Sequence, residues 1–121
     1  MLADAEVFGS FAVKDISRAK EFYGGTLGLR VSDARLGQLQ LDVGGRGYLL
    51  YRKPDHVPAT FTVLNFVVAD IDDAVDRLVE RGIRFERYDH PKTDEKGIDR
   101  AELVAWFTDP DGNILSVVQP R

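Results

Sequence analysis

Laid against itself, the chain repeats. Phe11, Val13, Asp15, Ile16 and Ala19 recur as Phe66, Val68, Asp70, Ile71 and Ala74, all 55 positions further on. Two copies of so long a unit do not make a solenoid, so the pattern reads as an internal duplication in which each copy is one supersecondary unit. With 121 residues, the chain is near the common size of one domain. We expect a single domain over residues 1–121, with modules at about 5–53 and 61–119 and a linker at about 54–60, where Pro54 to Thr60 has linker composition.

Each copy begins with strand-like alternation, Val7, Phe11 and Val13 in the first and Leu64, Phe66 and Val68 in the second. A helix follows. In the second copy Asp70 is a plausible N-cap, Asp72 and Asp73 suit the positive end of the helix, and Gly82 stops it. Ile71, Ala74, Val75, Leu78 and Val79 fall on one helical face. In the first copy Ala19, Phe22, Tyr23 and Leu27 form that face, Asp15 or Ser17 caps it, and Gly24-Gly25 ends it. Short strands then meet at turns, Asp42-Val43-Gly44-Gly45 and Asp109-Pro110-Asp111-Gly112, which align 67 positions apart. The offset has grown, so the second copy holds an insertion, placed at the charged stretch from Asp89 to Glu102. The expected fold class is α+β, two βαβββ modules whose strands form an open, curled mixed sheet.

Composition excludes several chemistries. The chain has no cysteine, hence no disulfide, no thiolate nucleophile and no sulfur-held metal. Its net charge is −4, with basic and acidic residues interspersed, so no nucleic-acid footprint is visible and nucleic acid is not an expected partner. No apolar run approaches the roughly 20 residues needed to span a bilayer, and the start MLADAEVFGS lacks signal-peptide character. No membrane partner is expected, and the cytoplasm is the expected location.

V-x-D-I-x-x-A enters each helix, F-Y-x-x-x-L-G-L spans Phe22 to Leu29, and D-P-D-G-N spans Asp109 to Asn113. Together these resemble the vicinal oxygen chelate superfamily, which includes glyoxalase I, extradiol dioxygenases, fosfomycin-resistance enzymes and bleomycin-binding proteins. The resemblance runs from about Phe8 to Gln119. It implies modules that curl into half-barrels around a central cavity, with a metal held by histidines and carboxylates. The histidine positions carry over to Phe8 and Val63, and the carboxylate positions to Leu49 and Ser116. None of these four offers an imidazole or a carboxylate, whereas a catalytic divalent metal needs about three or more converging donors. His56 and His90, the only histidines, fall outside the expected strands. We therefore expect neither a metal nor another cofactor.

Side chains alternate along strands, so residues in phase with the four ligand positions should line the cavity. These are Phe8, Ser10 and Ala12; Val63, Asn65 and Val67; Leu49 and Tyr51; and Ser116 and Val118. The resemblance adds Val104 and Trp106. The lining is apolar with scattered polar groups, as in a small-molecule pocket, and Trp106 offers a face for a planar or cationic ligand. Trp106 could equally plug a core. Asn65, read as buried, needs a hydrogen-bond partner, and Ser10 and Ser116 could simply relieve crowding. Gln38 and Gln40, opposite Leu39 and Leu41, read as solvent or interface residues. The stretch 89–102 could close as a lid and bring Lys92, Glu95, Lys96 or Arg100 to a ligand, or could only be solvated. His90 could serve as an acid or base.

The expected function is a metal-independent small-molecule-binding protein of glyoxalase/bleomycin-resistance type, its ligand in an apolar cavity with Trp106. A homodimer is expected. The alternative is a metal-free lyase or isomerase using acid–base groups of residues 89–102, and a third possibility is a vestigial pocket on an interaction protein.

Overall fold

A computed structural model describes residues 1–121. It contains two helices and eight strands in two open four-stranded mixed sheets, distributed over two compact units, residues 1–56 and 57–121.

In the first unit β1 (Gly9–Val13) leads into α1 (Ile16–Lys20), followed by β2 (Arg30–Asp33), β3 (Leu39–Val43) and β4 (Arg46–Arg52). The strand order is β1-β4-β3-β2, with β1 parallel to β4 and the other pairs antiparallel. Asp15 caps α1 by accepting the Arg18 N–H at 3.0 Å, a contact typically worth about 1 kcal/mol. Gly24-Gly25 does not end the helical path: a wider π-type turn continues over Glu21–Thr26. There the Leu27 N–H reaches back to the Phe22 carbonyl at 2.9 Å. That turn sets the Phe22 and Tyr23 rings edge to face, 5.1 Å between centroids, with Tyr23 also 6.0 Å from Phe11. Phe11, Val13, Leu39, Leu41 and Leu50 form the buried side of the sheet with Ala19 and Tyr23. The strand begins later than the alternation suggests, and Val7 and Phe8 precede it exposed.

In the second unit β5 (Thr62–Val67) leads into α2 (Ile71–Glu80), followed by β6 (Ile98–Asp99), β7 (Val104–Thr108) and β8 (Ile114–Val118). The order β5-β8-β7-β6 repeats that of the first unit. Asp70 caps α2 by accepting the Asp73 N–H at 3.1 Å, and Gly82 leaves the helix with φ of +92°. Ile71 and Val75 are buried, and α2 packs on β7 and β8. Leu64, Ala105, Phe107, Leu115 and Val117 complete this core, with Phe85 edge to face on Phe107 at 5.5 Å.

The insertion at 89–102 is not only a loop. Its charged composition hides β6, which pairs with β7 through Ile98↔Ala105 and Asp99↔Val104. Its central part is fastened to α2. Arg100 forks onto Asp72 at 2.8 and 2.9 Å and reaches Asp94 at 2.8 Å, while Lys96 lies 2.9 Å from both Asp72 and Asp76.

The D-P-D-G-N segment is a closed turn. Asp109 Oδ1 accepts the N–H groups of Asp111 and Asn113, and its Oδ2 accepts the Asn113 side-chain amide, all at 2.9 Å. This buried carboxylate organises the hairpin between β7 and β8 and has a structural task.

Candidate functional site

Strand register decides which side chains share a face. In the second sheet Asn65 pairs with Ser116, and Ser116 with Trp106, so the three form one row across β5, β8 and β7. Val67, Val118, Val104 and Asp99 form the next row on the same face. The alternate residues Leu64, Leu115 and Phe107 are the buried ones that meet the α2 side. Trp106 is half-buried and Val67 is 71% exposed. The face therefore combines an apolar surface, one indole, one polar pair and, at its β6 edge, the Asp99 carboxylate.

That pair is a direct bond: the Ser116 hydroxyl donates to Asn65 Oδ1 at 2.6 Å. Ser116 is fully buried, so its hydroxyl is not merely a space-saving substitute. Asn65, expected to be buried, is exposed instead, because β5 is the outer strand of its sheet. Tyr88, which strand alternation does not reveal, lies with its ring 5.6 Å from the Trp106 ring at 71°. Its chain is set beside β7 by the Glu86 N–H, which donates to the Trp106 carbonyl at 2.8 Å. Burial, and secondarily the negative charge of Glu86, push the Tyr88 phenol above its ordinary pKa.

In the first sheet Ser10, Leu49, Gln40 and Ser32 form one row, and Ala12 and Tyr51 pair on the same face. Gln40 therefore occupies the place in this row that Trp106 occupies in the other. Its amide leans towards Asp42 Oδ1 at 3.4 Å and passes over Gly47, a residue with no side chain to obstruct it. Read from sequence as a solvent or interface residue, Gln40 shares the face of Ser10 and Leu49.

Two of the expected lining residues are set apart. Phe8 lies before β1 and is 64% exposed. Val63 falls at a register shift between Thr62 and Leu64, so strand phase does not assign it a side. The residues present do not fit the family's metal: Phe8, Leu49, Val63 and Ser116 supply no imidazole or carboxylate, and nowhere do three His, Asp or Glu side chains converge as a metal would require. His56 is buried after β4, and His90 lies exposed in a turn.

Of the acid–base candidates of residues 89–102, Lys96 and Arg100 are engaged in ion pairs. Hydrogen bonds from Arg100, then Lys96, hold the Asp72 carboxyl well below the usual carboxylate range. Asp76 and then Asp72 push Lys96 up, and Asp72 and then Asp94 push Arg100 up. For Asp94, burial acts upward, but the Ile98 N–H and Arg100 outweigh it and the net direction is down. Elsewhere in this unit a groove of about 620 Å³ runs between α2 and residues 83–87, lined by Val75, Val79, Phe85 and Glu95 among others. None of the expected lining residues borders it.

A family profile described as Glyoxalase/Bleomycin resistance protein/Dioxygenase superfamily matches residues 7–117. The chain belongs to this superfamily. No curated protein is a significant match. Among solved structures, a glyoxalase family protein from Bacillus anthracis superposes with a TM-score of 0.74 at 20% identity, covering 98% of this chain and 96% of that one. The fosfomycin resistance protein FosX from Listeria monocytogenes gives 0.73 at 12% identity, with 98% and 94% covered. These two establish the fold. TnmS3, an antibiotic binding protein from Streptomyces sp. CB03234, gives 0.69 at 28% identity, with 98% of each chain covered. No helix is long and apolar enough to cross a membrane.

Proposed function

We propose that the protein binds a small molecule without a metal, on the face of the second sheet that carries Asn65, Val104, Trp106 and Ser116, with Trp106 as the main contact. The observation that carries this reading is the row Asn65–Ser116–Trp106, where an indole and a fixed polar pair sit side by side, with Val67, Val104 and Val118 in the next row. Such faces suit ligands that stack a ring and exchange one or two hydrogen bonds. The likeness to TnmS3, described as antibiotic binding, supports the same class of role. Metal independence is supported by the donor chemistry at positions 8, 49, 63 and 116. Pairing as a homodimer is supported by the outer positions of β1 and β5 in their sheets, which leave strand edges that a second copy can cover.

The lyase or isomerase alternative has less support, since Lys96 and Arg100 are bound by carboxylates. A thermal-shift screen against metabolites and aromatic antibiotics, run with a chelator present, tests the proposal. Stabilisation that persists in chelator and disappears in Trp106→Ala is the expected result. Stabilisation that requires added metal would refute it.

A further inference from the structure

We propose that Tyr88 is the end wall of the ligand face around Trp106, and that Thr93 and Arg100 are the positioning residues that hold it there. The inference rests on the reading above that Trp106 holds a small molecule, and it makes the charged stretch 89–102 a strut for that site.

Trp106 has Ser116 of β8 on one side, and on the other its carbonyl accepts the Glu86 N–H at 2.8 Å. Tyr88, two residues beyond Glu86, stands with its ring at 71° to the indole and 5.6 Å between centroids, so the row Asn65–Ser116–Trp106 ends at this ring. The Glu86 bond is the single main-chain tie between residues 84–88 and β7, and Tyr88 is 37% exposed. A ring so lightly joined to its sheet keeps one position only with support from elsewhere.

That support comes from Thr93. Its hydroxyl accepts the Tyr88 N–H at 2.8 Å and donates to the Tyr88 carbonyl at 3.3 Å, and its own N–H donates to the same carbonyl at 3.1 Å. Thr93 is fixed in turn by its neighbour. Asp94 Oδ1 accepts the N–H groups of Lys96 and Ile98, both at 2.9 Å, and Oδ2 accepts Arg100 Nε at 2.8 Å. Arg100 carries the line on to α2 through its fork on Asp72, a planar two-bond contact that a lysine does not make. Helix α2 packs on β7, the strand that bears Trp106. The line Tyr88–Thr93–Asp94–Arg100–Asp72 therefore closes on the sheet from which it started. The same segment presses on the chain before Tyr88, since a Cβ at Gly97 would lie 2.8 Å from the Glu86 carbonyl oxygen. A contact surface fixed in advance in this way loses little conformational entropy when a ligand arrives.

Acrylamide, a small neutral quencher, reads the exposure of Trp106 with no ligand present. Tyr88→Ala is expected to raise its quenching constant about two-fold, because a large ring leaves the side of the indole. Thr93→Val and Arg100→Met should each reproduce much of that rise, and neither should add to it when combined with Tyr88→Ala. Thr93→Ser, which keeps the hydroxyl, and Asp73→Asn, which breaks a separate ion pair of α2 with Arg77, should leave the constant unaltered. Alkaline titration gives a second readout, the loss of Trp106 emission as the adjoining phenol ionises, with Tyr88→Phe as the blank. Burial, then Glu86, holds that phenol above its ordinary pKa, so Thr93→Val and Arg100→Met should lower the midpoint by letting water reach it. Unchanged quenching in Tyr88→Ala would overturn the end wall. Wild-type values of both readouts in Thr93→Val, or in Arg100→Met, would overturn the role of that residue. Neither result touches the reading of Trp106. That reading falls separately, if no compound in the thermal-shift screen loses its stabilisation in Trp106→Ala, and the ligand role of Tyr88 then falls with it.

Discussion

Ser116 on β8 donates its hydroxyl to the side-chain oxygen of Asn65 on β5 at 2.6 Å, tying the outer strand of the second sheet to its neighbour. The partners are unequal, since Ser116 is fully buried and Asn65 is exposed. Removing Asn65 leaves a buried hydroxyl without its partner, whereas removing the hydroxyl leaves an amide that water can reach. Asn65→Ala is therefore expected to cost about 1 to 3 kcal/mol and Ser116→Ala about 1 kcal/mol or less. Urea unfolding of the two variants checks the order.

The clamp between residues 94–100 and α2 should respond to acid and to salt. Asp72 is held below its ordinary value of 3.8 by Arg100 and Lys96. Its stabilisation is thus present above about pH 4 and is lost as pH falls below that, because the unfolded chain takes up the proton first. Lys96 and Arg100 are raised, so their share fades only in strong alkali. Asp72→Asn is expected to lower Tm by roughly 2 to 6 °C at pH 7 in low salt, in line with exposed ion pairs. The gap to wild type should narrow below pH 4 and in 1 M NaCl, as thermal scans across pH and salt would show.

Gly97 and Gly82 both have positive φ, +87° and +92°, yet their surroundings differ. A Cβ at Gly97 would lie 2.8 Å from the Glu86 carbonyl oxygen and from Phe85 Cβ, while one at Gly82 would meet nothing within 4 Å. Gly82→Ala is expected to cost about 1 kcal/mol, the conformational part alone. Gly97→Ala should cost at least about 2 kcal/mol more through the clash and the displaced 85–86 segment, measured by the same unfolding experiment.

Helix α2 could be read from the chain because Asp70, the apolar face and Gly82 act locally. The exit from α1 could not, since the π-type turn at Glu21–Thr26 carries the path through Gly24-Gly25, a pair read as a stop. Alternation placed Gln40 opposite Leu39 and Leu41, but only its pairing with Leu49 on β4 reveals that this is the face of Ser10. Unequal hairpins hid the equivalence of Gln40 and Trp106. Val43 and Arg46 are joined by two glycines, whereas Asp109 to Asn113 separate Thr108 from Ile114, so the offset shared by the turns does not hold along the preceding strand. Tyr88 reaches Trp106 through a single backbone bond from Glu86, a long-range contact with no sequence period. The register shift at Val63 breaks the alternation that assigned it a side.

Trp106 is the only tryptophan, so its fluorescence reports on the proposed site alone. The most direct measurement is a titration of Trp106 emission in wild type with a planar aromatic ligand from the thermal-shift screen, repeated with EDTA and with added Zn²⁺, Ni²⁺ or Mn²⁺, beside a calorimetric titration of Trp106→Phe. Trp106→Phe, followed by calorimetry, is expected to keep a near-native Tm and to weaken binding about three-fold or more through loss of the indole. The account predicts saturable quenching with a Kd that changes less than about two-fold between chelator and metal. Quenching that appears only when metal is added, or wild-type affinity in Trp106→Phe, would contradict it.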